Sequence, residues 1–398
     1  MAKIHCFYLL LPTMITQFVN SFTEAVLSRC QAFVRQKHWI LLLSLLLPLS
    51  VMFFSFPCYE RVNTEYQEYW SSMNTKTEAP FIDKEYDGDV HQSKLTFRLT
   101  VPVIAGFLHL RTWGIIILQG IFGILLFFYS AKLFRKITED DVTALLLTLS
   151  LSFIWAGRCS YVELRGGIFD GVALFFLVFA MYYKNPLLIF SGVLLASFTD
   201  ERGFIASSLV LLFWGFMGGF TFRKLFNLQT IAVGTAWIAY FALRYFLIHV
   251  LHFKTIVGTK LGVWCLVTQT SNLPGGVWTA LEGNWIIILA ALYALYQARK
   301  HFPALLLAGA IIVIMVVAMA VIDITRSMAY VFPALFIALL IIRHLKSESM
   351  ESIRKMALLS TTLSFLYPAY YINGSFEALW TYPLPLYILR HLFGSGGH

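Results

Sequence analysis

Charge is the scarcest property of this 398-residue sequence: only 13% of residues are Asp, Glu, Lys or Arg. A soluble domain carries roughly 25%, so a soluble enzyme and a disordered chain are both excluded. Cysteine is scarce as well. Cys6, Cys30, Cys58, Cys159 and Cys265 show no CxxC spacing, which argues against a zinc or redox motif and against a disulfide-built secreted module. No Gly-rich phosphate loop and no HExxH helix occurs, so nothing points to a nucleotide-driven cytoplasmic enzyme or a zinc peptidase. There is no internal repeat of fixed period and no low-complexity tract.

Apolar residues fill the space that charge leaves. The chain is 59% hydrophobic and 16% aromatic, with a mean hydropathy of +0.73. This composition predicts an all-α, polytopic membrane bundle. A hydrocarbon core of ~30 Å takes about 20 apolar residues per helix. Candidate spans fall at 38–57, 112–134, 142–157, 166–183, 186–199, 203–220, 228–251, 284–298, 303–322, 328–343 and 355–372, with a last apolar stretch at 376–393. That makes roughly eleven or twelve spans, several short enough to be tilted or broken.

The 30 Lys and Arg exceed the 21 Asp and Glu, a net charge of +9. On a membrane protein this excess marks cytoplasmic loops rather than a nucleic-acid partner. Arg29, Arg35 and Lys37 precede the first span, so it enters from the cytoplasm. Lys132/Arg135/Lys136, Lys184, Arg223/Lys224, Arg299/Lys300 and Arg343/Lys346/Arg354/Lys355 then fall on that same side. The alternation requires 95–110 to be a surface or re-entrant helix. Residues 1–37 read as an interfacial amphipathic segment, since no small-residue cleavage site follows Phe7–Ile15. Residues 38–393 read as one bundle with outer loops 58–111 and 252–283, and 394–398 as an appended remnant. Three cysteines, Cys58, Cys159 and Cys265, fall on the outer side, either as buried thiols or with one disulfide among them.

This orientation places most of the non-cytoplasmic acids on the outer face. Arg158, Glu163 and Arg165 follow the third span, and Asp170 lies about one turn inside the next helix. Asp200, Glu201 and Arg202 occupy a hinge between two apolar runs, and Asp323 with Arg326 another. Ionisable residues at membrane depth are expensive and face a partner or a cavity; the alternative is solvent-wetted hairpin tips. Arg244 lies within span 228–251, where it either snorkels or faces the bundle. Arg presents a planar fork suited to phosphate, so acids and Arg together fit a lipid-linked phosphate donor.

Asp87-Gly88-Asp89 is the sharpest local feature. Its two carboxylates suit a divalent cation such as Mg or Mn or a general base beside a reacting hydroxyl. They also suit an ordinary polar turn. His91, Lys94 and Arg98 follow at once, ahead of the mostly apolar stretch Phe97–Leu110 with Pro102 near its start. In 252–283, Trp264 and Trp278 fit either an interfacial belt or a loop over a headgroup.

The run from Asp87 to Pro102 resembles the first outer loop and following helix of bacterial polytopic glycosyltransferases of the GT-C superfamily. Phe169-Asp170-Gly171-Val172-Ala173-Leu174 and Thr199-Asp200-Glu201-Arg202-Gly203-Phe204 look like that group too. The likeness covers about 80–250 in arrangement. It implies sugar transfer from a polyprenyl-phosphate carrier to a glycan, lipid or protein acceptor, on the outer face of a bacterial cytoplasmic membrane. By the same resemblance Asp87 or Asp89 is the base. Arg98, Arg165, Arg202 or Arg326 would then hold the departing phosphate, with His91, Arg158, Glu163, Asp170, Asp200, Glu201, Arg244 and Asp323 as further substrate-binding residues. The acid pair comes later in the chain than the family's usual position, and no soluble C-terminal domain follows. A transporter or flippase, a glycan polymerase or ligase, and a non-catalytic assembly partner are the competing expectations.

Overall fold

The computed structural model describes residues 17, 20–82, 95–220, 222–254, 262–345, 348–366, 370–372, 378–380 and 382–393. The Asp87–Asp89 pair and His91 lie outside the described residues.

Helix α1 (Asn20–Val34) turns by 117° into α2 (Trp39–Phe54). The first long connection holds α3 (Gln67–Glu78) and α4 (Thr100–Phe107). The latter falls where the charge alternation requires a short surface helix. Then come α5 (Thr112–Thr138), the bent pair α6 (Asp141–Phe153) and α7 (Trp155–Val162), α8 (Asp170–Tyr182), α9 (Pro186–Thr199), α10 (Glu201–Met217) and α11 (Leu228–His249). The C-terminal part comprises α12 (Val263–Thr268), α13 (Leu273–Leu281), α14 (Trp285–Gln297), α15 (His301–Met319), α16 (Ile324–Met328), α17 (Ala334–Leu345) and α18 (Met350–Leu366). A two-stranded antiparallel sheet, β1 (Tyr370–Ile372) with β2 (Ala378–Trp380), and helix α19 (Leu384–Phe393) close the chain.

Five helical runs are long and apolar enough to cross a bilayer: α5, α11, α15, Thr270–Gln297 (which includes α13 and α14) and Ile324–Leu345 (which includes α16 and α17). The bent pairs α1/α2 and α6/α7 raise the number to seven. The chain is a multi-pass membrane protein, with fewer full-length crossings than the eleven or twelve expected. The reason is helix length. Helices α8 and α9 have 13 and 14 residues, so each spans about 20 Å against a hydrocarbon core of ~30 Å. The stretch 376–393 carries a three-residue strand and the ten-residue α19 in place of a span. The expected outer loop 252–283 also differs: from Thr270 onward it belongs to a membrane-length helical run. No disulfide joins Cys58, Cys159 and Cys265.

Local chemistry sets the helix starts. Asn185 caps α9 through its side chain, with Pro186 in the first turn, where a missing N–H costs nothing. Asn227 and Thr230 form a reciprocal capping box on α11. Helix α8 is buried along nearly its whole length between α5, α9 and α10. Its second residue is closely packed: a Cβ on Gly171 would fall 1.8 Å from Ser160 Oγ. By contrast α11 and α15 keep Ile231, Ile238, Leu305 and Val316 exposed, which suits a lipid-facing rim. At the end of the bundle that carries the basic loops, Arg354 Nε donates to Asp140 at 2.9 Å, and Asp140 caps α6 through Thr143 N. Burial alone would raise the Asp140 carboxyl. Hydrogen bonds from Arg354 and Thr143 outweigh that and hold it below the usual range.

Candidate functional site

At the opposite end of α8 the scarce charges meet. Asp170 is the first residue of α8, and Asp200 is the residue between α9 and α10. Asp323 immediately precedes α16, and Arg326 lies within it. Asp170 is 2% exposed, Asp200 is fully buried and Arg326 is 3% exposed. Carboxylates are favoured at helix N-termini by the free N–H groups and the dipole, and α8 and α10 both begin at this point.

The contacts form a continuous network. Arg326 Nε donates to Asp170 Oδ2, Nη1 to Asp323 at 3.1 Å and Nη2 to Asp200 at 3.3 Å. Arg202 folds back on its own helix cap: its backbone N–H, Nε and Nη2 reach Asp200 at 3.0, 2.7 and 2.7 Å. The same guanidinium reaches Asp170 at 3.3 Å and Ser327 Oγ at 2.7 Å. Tyr330 Oη donates to Asp170 at 2.9 Å. Arg98 enters from the segment before α4, bridging Asp200 at 3.0 Å, Glu201 at 3.2 Å and the Gly167 carbonyl at 3.2 Å. Beside this network Arg165 grips Glu163 through two parallel bonds of 2.8 and 2.5 Å, the strong bidentate geometry.

Depth follows from helix length. Helix α8 runs 13 residues from Asp170 to Tyr182, just before Lys184 at the basic edge. Thirteen residues rise about 20 Å, which leaves about 10 Å of a ~30 Å core beyond Asp170. The cluster therefore lies beneath the face opposite the basic loops, covered by α3 and α4. Trp70 Nε1 in α3 donates to the Leu164 carbonyl at 2.9 Å, and Gly166 packs on the Tyr69 carbonyl. A charge at this depth is stable only when paired and hydrogen-bonded, and these charges are both.

The structure thus brings together Arg98, Asp170, Asp200, Glu201, Arg202, Asp323 and Arg326, with Glu163 and Arg165 adjoining. Arg158 and Arg244 fall elsewhere. Arg158 is not in an outer loop. It lies in α7, buried, with Nη1 bonded to Ser55 Oγ at 3.4 Å. Arg244 stacks over the Phe97 ring at 4.2 Å and donates to Tyr240 Oη at 2.7 Å, a cation–π seat at the edge of the bundle. Sequence reasoning missed Tyr330 and Ser327. Tyr330 lies one helical turn after Arg326, and that i,i+4 spacing is the signal that could have found it. Among the described residues, no three His, Cys, Asp or Glu side chains gather as a metal site.

Compared with protein-family models, with curated proteins and with solved structures, the chain finds no match.

Proposed function

We propose that this protein is a membrane glycosyltransferase of GT-C type. It moves a sugar from a polyprenyl-phosphate carrier to a glycan, lipid or protein acceptor on the extracytoplasmic face of a bacterial cytoplasmic membrane. One observation carries this reading: separated chain segments converge on a buried Asp170–Asp200–Arg202–Arg326 cluster. Assembling so many charges from distant parts of the chain at membrane depth is costly unless something charged is handled there. A lipid phosphate is such a partner, since its negative charge grows as the sugar leaves.

In this reading Asp170 and Asp200 are positioning residues. They hold the Arg202 and Arg326 guanidiniums in fixed orientation, so stabilising the leaving phosphate requires little rearrangement. Arg98 and Arg165 lie at the rim, partly accessible, and make the first contact with the carrier. Asp87 or Asp89 takes the proton of the acceptor hydroxyl as the new glycosidic bond forms. A divalent cation, if used, would sit on the same two carboxylates.

The test is glycan transfer in vesicles by Asp87→Asn, Asp89→Asn and Asp170→Asn, each checked for folding. The proposal expects loss of transfer in at least one of the first two and in the third. Full activity in both loop variants sinks the base assignment. Full activity in a folded Asp170→Asn sinks the site.

A transporter or flippase is the second reading, favoured by one observation. Arg158 and Glu282 are charged-type residues buried in the bundle outside the Asp170–Arg326 contacts, and ionisable residues buried among spans can mark a transport path. Uptake of a labelled lipid-linked sugar without any transfer would select it.

A further inference from the structure

The last helix, α19, turns its apolar side away from the protein. Leu386, Ile388, Leu389, Leu392 and Phe393 are between 45% and 78% exposed. The polar positions face inward instead. Tyr387 lies against the Phe56 ring, with centroids 4.9 Å apart, and its Oη is 3.9 Å from Cys58 Sγ. One turn on, His391 Nε2 lies 4.0 Å from Glu60 Oε1. Just ahead of the helix, the Phe56 N–H donates to the Tyr382 carbonyl at 2.9 Å. At 3.6 residues per turn, Leu386, Leu389 and Phe393 fall on the side away from these contacts.

Helix α5 gives the height at which this happens. Its last turn holds Arg135 and Lys136 at the basic edge. Its 27 residues rise about 40 Å, enough to cross a ~30 Å core. The far end carries exposed Trp113, whose ring lies 6.3 Å from Tyr59, and Tyr59 lies 6.0 Å from Phe56. Trp113, Tyr59, Tyr382 and Tyr387 therefore gather at the edge opposite the basic loops. Aromatic rings of this kind border the hydrocarbon at a membrane interface. The apolar side of α19 also continues an exposed apolar surface. Leu42, Leu45, Leu46, Leu49 and Phe53 stand exposed along α2, and α19 packs on Phe56, three residues further on.

The charge on α19 fits the same level. Arg390 lies over the Tyr382 ring at 4.5 Å, and these two line one open groove with Leu386, Leu389 and Phe393. Apolar walls beside a guanidinium match a phospholipid, with an acyl chain along the leucines and a phosphate on the fork of donors.

We propose that α19 is an interfacial helix and that its partner is the phospholipid leaflet opposite the basic loops. The Leu386–Leu389–Phe393 side enters the top of the acyl region, and Arg390 contacts a lipid phosphate. Through Phe56 and Glu60 the helix ties the start of the first long connection to the bilayer surface. The proposal stands whether or not the protein transfers sugars.

Phe393 allows a test that leaves the helix intact. The full chain carries 4-trifluoromethylphenylalanine at that position, in lipid nanodiscs, and fluorine relaxation reports what touches the ring. Phospholipids bearing a nitroxide near the head or near the end of the acyl chain read depth, and an aqueous gadolinium chelate reads water. The same probe at Phe241, exposed on α11, marks the bilayer interior. The expected result at Phe393 is strongest broadening by the shallow nitroxide, as for a face ~5–10 Å below the headgroups. At Phe241 the deep nitroxide should dominate. Arg390→Glu sets like charge against the phosphate and should make the chelate the stronger agent at Phe393. Strongest broadening by the chelate or by the deep nitroxide in the unaltered helix overturns the interfacial seat. No broadening by any of the three shows the ring covered by protein, such as a second copy of the chain, and overturns it as well. An unchanged pattern in a folded Arg390→Glu variant overturns the phosphate contact.

Discussion

Asp170 accepts from Arg326, Arg202 and Tyr330 at once. An amide in its place keeps the shape and removes the charge, which leaves buried guanidiniums short of a counter-ion. Breaking a buried pair in this way costs on the order of 3–5 kcal/mol. Asp170→Asn should therefore lower the thermal midpoint in detergent by many degrees, and Asp200→Asn should do the same. Arg61→Ala should leave the midpoint near wild type, since its pair with Glu65 is solvent-exposed. The cluster acids were legible in sequence because ionisable residues between apolar runs have few explanations. Tyr330 and Glu282 were not. A Tyr in an apolar run reads as core, and Glu282 reads as one more acid in a loop until Gly283 is seen against α18.

Among the elements, α8 depends most on fit. Gly171→Ala puts a methyl into Ser160 Oγ, and overpacking of this kind costs about 1–3 kcal/mol. Adding Ser160→Ala removes the closest clashing atom and should recover most of the loss, which a two-variant thermal melt measures. No recovery would place the strain elsewhere. At the far end of the bundle, Asp140 ties α6 to α18 through Arg354. Its carboxyl is held below the ordinary value, so it binds fewer protons folded than unfolded. Its contribution is present above the unfolded value of about 3.9 and is lost as pH falls below it. Melts from pH 7 down to pH 3 should show a loss near the acid end that Asp140→Asn flattens; an identical slope in that variant would contradict the assignment. Helix content was legible in the apolar runs, but helix length was less so. Apolar windows across 142–157 and 284–298 do not reveal the 53° bend between α6 and α7 or the break at Glu282, because those turns are decided by packing.

For the whole molecule, the composition correctly required a multi-pass helical bundle, and the charge asymmetry suggested its orientation. Nothing in the sequence signalled that α8 begins only at Asp170, so that the acids at the ends of α8 and α9 lie buried within the bundle. The central claim is that the Asp–Arg cluster receives a lipid phosphate. Its most direct test is photo-crosslinking of a diazirine-bearing polyprenyl phosphate to the full chain in nanodiscs, with the labelled peptides mapped by mass spectrometry. The account predicts labelling of peptides containing Arg98, Arg202 or Arg326, competed by unlabelled polyprenyl phosphate and reduced in a folded Arg202→Gln variant. Saturable labelling confined to the lipid-facing surfaces of α11 and α15, with none at the cluster, would contradict it.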